Sequence, residues 1–408
     1  MTSGAAGPRR HARTISLGDP DLYAAGAPHA LFAQLRREAP LHRQVAPDGT
    51  AYWAVLSHAG VETVARQPLL FSSAAGGVML EDLAAPQLEQ MRGMLLAMDP
   101  PVHREVRRPV VARLTPRAVA GLEQQVREIC TEVFETARSK GEVDVVGELA
   151  APLPTRVVGR LMGLPRDDWE RIHHLAERIT RGQDPEFADE PGAAGVASQE
   201  MALYAFEFAT ARLAAEEKPD DLTTVLLASK SAIEFASLFV QLVTAGQDTT
   251  QTLLANGVLA LMEHRDQERL LRDDPSLVDG AVEEMLRYAN PLHYFRRTAT
   301  ADTEVEGTVI AAGDKVAMYY TSANRDERVF DRPDDFDIRR SPNRHLSFGH
   351  AEHFCVGAHL ARLEAKVFFT ELLSTFSGIE PDGEHRWVRS NLNNALRTLP
   401  VRLTPAAG

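Results

Sequence analysis

The stretch "IEFASLFVQLVTAGQDTTQTLLANGVLALMEHRDQERLL", which begins at Ile233, holds no proline over roughly forty residues. At ~1.5 Å per residue, one helix of that length runs right through a globular molecule. It is apolar on nearly every side, which makes it a buried helix. Any fold for this chain must therefore wrap other elements around it. Its middle is poorly chosen for stability: Ala245, Gly246, Gln247, Asp248, Thr249 and Thr250. A mid-helix glycine costs ~1 kcal/mol against alanine, and a carboxylate in apolar surroundings costs more unless it is partnered. Two readings stand at this point. Gly246 is a packing notch with mutually satisfied polar neighbours, or the interruption is a ligand groove. Ala245 and Thr249 share a face, a small residue there leaves room for something flat, and Thr249 can bond back to the carbonyl of residue 245.

The rest of the 408 residues is mainly α with a minor β region. Residues 17–408 are expected to form a single domain behind a flexible tail of residues 1–16, with no internal repeat and no low-complexity linker. "DPDLYAAGAPHALFAQLRREAP" reads as a capped amphipathic helix, and "AYWAVLSHAGVETVARQP" as a short strand turning into a helix. Residues 72–93 and 185–198 read as loops, 201–216 and 233–272 as helical runs. Strands return in 297–320 and in "LPVRLTP". A net charge of −13 disfavours a general nucleic-acid binder. No apolar run of ~18 residues is present to span a membrane, and Arg9 and Arg10 precede "HARTIS" rather than an apolar export signal. Two cysteines make no disulfide framework and suit a reducing, cytoplasmic setting. Cys130, inside a helical pattern, is expected to be a small buried hydrophobe.

The other cysteine, Cys355, lies in "HLSFGHAEHFCVGAHLARLE". His350, His353 and His359 are near enough to be weighed as a base or as zinc ligands. Structural zinc takes paired ligands at both ends of a loop, however, and here every candidate falls within ten residues. Residues 357–364 also read as helix, which points His359 away from the sulfur. A turn-rich loop that delivers a cysteine to a helix start favours an anionic sulfur. Gly357 clears space beside it for a large flat object, and a thiolate so held suits the axial position of haem iron.

"FGHAEHFCVG", "AGQDTT" and "EEMLR" together resemble the cytochrome P450 superfamily, the haem-thiolate monooxygenases, in its soluble bacterial form. "MDPPVHREVRR" (98–108), "RLTPR" (113–117), "DDLTTVLL" (220–227), "RRTAT" (296–300) and "ANRDERVFDRPDDFD" (323–337) follow in the family's order. The resemblance covers roughly residues 20–404. It implies the single-domain P450 fold with its long central helix over the haem, and haem b (heme b, iron protoporphyrin IX) as cofactor. It makes Cys355 the iron ligand and Asp248 and Thr249 the proton-delivering pair on the opposite face, with the carboxylate near solvent. The propionate partners it implies are His103, Arg107, Arg297 and His353; the first two share a helix face at i, i+4. Glu284 and Arg287 become a buried structural pair. Three departures stand out: Ala351 replaces a usual glycine, Asp335 replaces an arginine that joins the Glu284–Arg287 network, with Arg339 or Arg340 as substitutes, and Ala395 replaces another glycine.

No strand–GxGxxG–helix segment is present to hold a flavin or dinucleotide, so electrons must come from outside. The family's usual donors are a ferredoxin and its reductase, and Arg104, Arg108, Arg113 and Arg117 are the expected docking patch. The pocket is expected to be walled by 72–97, 170–200, Ala245, 291–295 and 391–395, with Leu292, Tyr294 and Asn393 among its residues and His293 and Asn394 adding polar groups. The expected substrate is an organic small molecule, free or bound to a carrier protein, in natural-product tailoring within secondary metabolism. The alternatives are a carrier-tethered amino acid, a steroid, a terpenoid or a fatty chain. The non-catalytic alternative, a haem-binding sensor, needs no proton path.

Overall fold

The computed structural model describes residues 15–407 apart from 189 and 191. Of the expected tail, residues 1–14 lie outside the described residues; Ser16, near its end, donates its hydroxyl to the Val45 carbonyl at 2.6 Å. The central helix runs Ala232–Glu263 and starts on a capping box, in which Ser231 and Glu234 satisfy each other's backbone N–H. Helices Pro152–Met162, Trp169–Thr180, Ala193–Ala214 and Ala358–Thr375 pack around it. Burial on nearly every side between Phe235 and Leu261 follows from the apolar composition, as expected, the open row being Leu242, Ala245, Gly246 and Thr249. Gly246 is indeed a packing notch, since a Cβ there would meet Val158 Cγ2 at 2.8 Å; Gly257 plays the same part against Phe369 at 2.5 Å. The run expected to continue to 272 breaks at His264, which leaves helical φ/ψ while its ring packs on Tyr288 and Phe336, and a new helix, Arg265–Asp273, follows.

The main sheet has five strands in the spatial order Leu41–Val45, Ala51–Val55, Lys315–Tyr319, Tyr294–Ala299, Phe71–Ser72. All neighbours are antiparallel except Ala51–Val55 beside Lys315–Tyr319, which pair in parallel with Trp53 opposite Val316. The sheet is therefore not confined to the late sequence; three of its strands come from the first 72 residues. A second sheet joins Glu142–Asp144, Pro400–Pro405 and Phe376–Pro381.

Three local expectations need correcting. Residues 72–93 are not all loop, because Ala85–Arg92 is a helix whose "LEQMR" supplies strong helix formers after Pro86. The loop at 185–198 ends early, as alanine-rich Ala193–Ala214 turns helical directly after Gly192, which stands at φ 90°. Near the N-terminus, Asp19 caps only a single 3₁₀ turn, Pro20–Tyr23, and the helix His29–Glu38 begins separately after Pro28.

The buried pair at 284 and 287 is fully enclosed, with both side chains 0% exposed and Nη2 2.7 Å from Oε1. Asp335 adds only its backbone carbonyl to Arg287 (2.8 Å), and Arg340 takes the vacant cationic role, its Nε reaching both Glu284 oxygens at 3.2 Å. Ala395 is buried and its carbonyl accepts from Val388 N.

Candidate active site

A cavity of ≈ 240 Å³ lies between the central helix and the loop that carries Cys355. The loop is pinned where Cys355 N donates to the Phe348 carbonyl at 2.8 Å. Gly349 sits at φ 70° and Ala351 at φ 53°. Left-handed backbone is natural for glycine and strained for alanine. Ala351→Gly is expected to raise stability by about 0.5–1 kcal/mol, read as a higher chemical-denaturation midpoint; a lower midpoint would show that the turn draws no strain from the methyl group. Helix Ala358–Thr375 begins three residues past the cysteine, as the sequence indicates.

Cys355 opens into the cavity rather than to the outer surface. Burial pushes its thiol up, while the Gly357 N–H and Arg107 oppose that shift. A Cβ on Gly357 would find only the Cys355 sulfur, at 3.9 Å, so the side facing the cavity is clear.

His103, Arg107, Arg297 and His353 all line the same cavity. They come from three elements: helix Val102–Arg113, strand Tyr294–Ala299 and the turn Ala351–His353. The two imidazoles stand 4.4 Å apart, and burial drives His353 down to about 2. Arg107 donates to the Phe354 carbonyl at 2.6 Å and Arg297 to that of Arg296 at 2.8 Å. Neither guanidinium meets a carboxylate among the described residues. Arg297 is only 5% exposed, and burial lowers its proton affinity. A buried cation without a counter-charge is costly, so this wall calls for an anionic ligand. A flat group bearing carboxylates at one edge and a metal facing the sulfur satisfies every feature, which is the donor chemistry of haem b. Among the described residues no group of three His, Cys, Asp or Glu side chains could hold a metal ion, so the zinc alternative has no ligand set.

Across the cavity lie Ala245, Gly246, Thr249 and Thr250. Thr249 Oγ1 donates to the Ala245 carbonyl at 2.6 Å, as its spacing predicts. Its hydrogen is thus engaged in the helix, and its oxygen is left to accept a bond from the cavity side. Asp248 does not join it. The carboxylate is 4% exposed, lines no part of the cavity and accepts from Arg181 Nε at 2.9 Å. The expected position near solvent is therefore corrected: Asp248 is turned toward helix Trp169–Thr180, where it and Glu177 neutralise a guanidinium that is itself 1% exposed.

Ala245 and Leu292 line the cavity, with Val78, Leu95, Leu96, Pro291 and Phe295 from the expected walls. Tyr294 and Asn393 do not. The Tyr294 hydroxyl accepts from Leu80 N, and Asn393 Nδ2 donates to the Thr180 carbonyl. His293 and Asn394 are likewise consumed inside the protein, by Thr321 and the Asn290 carbonyl. In each case the polar group is already engaged by a backbone or side-chain partner. Residues 170–200 and 391–395 contribute nothing to this lining.

Among the lining residues that the sequence reading did not name are two buried polar ones. Glu364 is 1% exposed, its Oε2 has no partner, and burial lifts its carboxyl to about 8. The signal was an acid in the buried row Leu360, Glu364, Phe368. Gln241 interrupts the apolar run "SLFVQLV" and faces the cavity while 9% exposed.

Comparison with known proteins bears on the chain as a whole. The family model described as Cytochrome P450 matches residues 199–403. Linalool 8-monooxygenase of Pseudomonas putida is 35% identical over 95% of this chain and 98% of its own. A Mycobacterium marinum cytochrome P450 solved in complex with pseudoionone superposes with a TM-score of 0.88 at 32% identity, covering 97% of this chain and all of that one. P450BioI, solved with an acyl carrier protein ligated to hexadec-9Z-enoic acid, gives 0.84 at 28% identity over 92% and 98% of the two chains. A mainly helical fold matched over nearly its whole length, a cavity built for haem b and this degree of identity to named monooxygenases have one reading: the chain belongs to the cytochrome P450 family of haem-dependent monooxygenases.

Proposed function

We propose that this monooxygenase hydroxylates a C–H bond of an apolar organic molecule, such as a terpenoid or a fatty chain, as a tailoring step in secondary metabolism. The supporting observation is the cavity itself: a cysteine sulfur on one side, the Ala245–Thr249 notch opposite, and apolar walls from Val78, Leu95, Leu96, Leu242, Leu292 and Phe295. A relative named for linalool and a structural neighbour solved in complex with pseudoionone are consistent with such a substrate. In this reading Cys355 ligates the iron, and His103, Arg107, Arg297 and His353 hold the propionates. Haem bound there supplies the redox chemistry that activates O₂ with two electrons and inserts one oxygen atom. The chain's residues do the rest. Leu292, Phe295 and their neighbours exclude water and hold the substrate. Thr249 Oγ1, fixed by the Ala245 carbonyl, accepts a hydrogen bond and so keeps a proton donor at the reacting oxygen. Asp248, the other proposed member of the pair, shares in proton delivery only when its bond to Arg181 opens.

Purified protein should show the absorbance of thiolate-ligated haem when reduced under carbon monoxide. It should turn over terpenoid or fatty-chain probes with a surrogate ferredoxin system. Haem without turnover of any probe would instead favour the sensor. Spectral titration with free and carrier-bound forms of one acyl chain separates the second reading, a carrier-tethered substrate, for which the P450BioI complex is the precedent. Thr249→Ala is expected to lower product formed per electron pair by about tenfold, with the missing electrons recovered as hydrogen peroxide; full coupling would remove Thr249 from proton delivery.

Electrons are proposed to come from a ferredoxin, itself served by a reductase, docked over helix Val102–Arg113. Of the expected patch, Arg104 is tied to Glu352 at 2.9 Å and Arg113 pairs with Asp220. Arg108 and Arg117 are exposed and meet no acid among the described residues. Arg108→Glu should slow reduction by about tenfold at low ionic strength, with the difference shrinking in salt. Salt-independent or unchanged stopped-flow kinetics would place the docking surface elsewhere.

A further inference from the structure

Within the apolar half of the cavity one side chain breaks the pattern. Gln241 sits on the central helix, four residues before Ala245 and eight before Thr249. Its Oε1 accepts from Leu96 N at 3.3 Å. That bond settles which way the amide faces, because a backbone N–H needs the oxygen and not the nitrogen. Nε2 is left with two hydrogens and meets no protein acceptor among the described residues. Around it the lining is Leu95, Leu96, Leu242, Ala245, Val158 and Met162. The cavity's other polar lining includes His103, Arg107, Arg297 and His353, Thr249 and Thr250 further along the central helix, and Glu364. The side chain is nine-tenths buried, and an amide N–H that reaches an apolar chamber without a partner favours any acceptor that enters it.

We propose that Gln241 is the specificity-determining contact for the substrate, donating from Nε2 to an uncharged acceptor oxygen at the end of an elongated apolar molecule. Eight helical residues place that anchor ~12 Å along the axis from Thr249. The molecule is therefore held by a ketone, ester or hydroxyl oxygen at one end and presents its other end to the Thr249 notch. A carboxylate is the poorer fit, since no cation lines this part of the cavity. This rests on the monooxygenase reading and adds the substrate's shape and its one polar group.

The probes are undecan-2-one and undecane, about as long as the anchor-to-notch distance and differing in the acceptor oxygen alone. Each is titrated into the haem-loaded protein by difference absorbance. The wild type should bind the ketone about tenfold tighter than the alkane, the worth of one buried hydrogen bond. Gln241→Leu should bring the two within about twofold. Gln241→Glu, titrated at about pH 10 so that its carboxyl is ionised, keeps an acceptor for Leu96 N but presents no donor, so it should lose the preference there. Oxidation should also move off the chain end in both variants. A ketone preference that survives in either folded variant overturns the assignment, as does a wild type that ranks the probes equally or binds neither. A protein without thiolate-ligated haem would fail earlier, in the reduced carbon monoxide spectrum, and would sink the proposed function rather than this anchor.

Discussion

Cys355→Ser yields a folded protein that has lost the thiolate-haem absorbance and whose turnover drops by about a hundredfold or more; even partners of a metal ligand are worth 10–100-fold. The substitution is nearly isosteric, and the loop is held by the Cys355 N–Phe348 O bond and by the phenyl rings of Phe348 and Phe354, 6.1 Å apart, none of which involves the sulfur. The variant should therefore keep its circular dichroism and its melting profile in the haem-free form. What changes is the donor: an alcohol does not ionise where a thiol does, and it gives iron a harder, weaker ligand. Serine that preserved the colour and the turnover would mean that Cys355 is not the iron ligand.

The placement of Cys355 just before a helix was legible because its surroundings are local. A turn-rich loop, a cysteine and a following helix occupy twenty consecutive residues, and the spacing carries the geometry. The central helix was legible for the same reason, as was the Thr249–Ala245 bond, which spans a single turn. What depends on partners far along the chain was not. Asp248 reads as an exposed acid beside a hydroxyl until Arg181, 67 residues away, is seen to claim it. Tyr294 and Asn393 read as pocket polar groups until Leu80 N and the Thr180 carbonyl are seen to claim them. Periodicity linked His103 to Arg107, but only the family pattern joined them to Arg297 and His353. The early sheet strands were partly missed because two- to five-residue strands make little pattern of their own, and, the hairpin of Leu41–Val45 with Ala51–Val55 apart, their partners lie some 230 to 260 residues later. Gln241 is the converse case, a visible irregularity in an apolar run whose meaning needed the cavity.

The second large effect lies away from the chemistry. Arg287 spends all five of its donors: two on Glu284, one each on the carbonyls of Asn324, Pro333 and Asp335. Glu284 in turn accepts from Arg287, Arg340, Asn343 and the Asp337 N–H. Removing the acid leaves two guanidinia facing each other, one 0% and one 8% exposed. Glu284→Ala should therefore cost about 3–5 kcal/mol, the range for breaking a buried ion pair, against a total stability of about 5–15 kcal/mol. Arg340→Ala should cost far less, because Arg287 still covers the carboxylate and residue 340 lies nearer water. The denaturant midpoint measures both. The damage should also reach the haem. Asn324, whose carbonyl Arg287 holds, uses its side chain to fix Leu346 N at 2.7 Å and Ser347 Oγ at 2.8 Å, at the root of the cysteine loop. Glu284→Ala should accordingly release haem at denaturant concentrations where Arg340→Ala retains it. A Glu284→Ala protein within about 1 kcal/mol of the wild type would show that the chain tolerates these charges unpaired, and that the loop's order does not descend from this network.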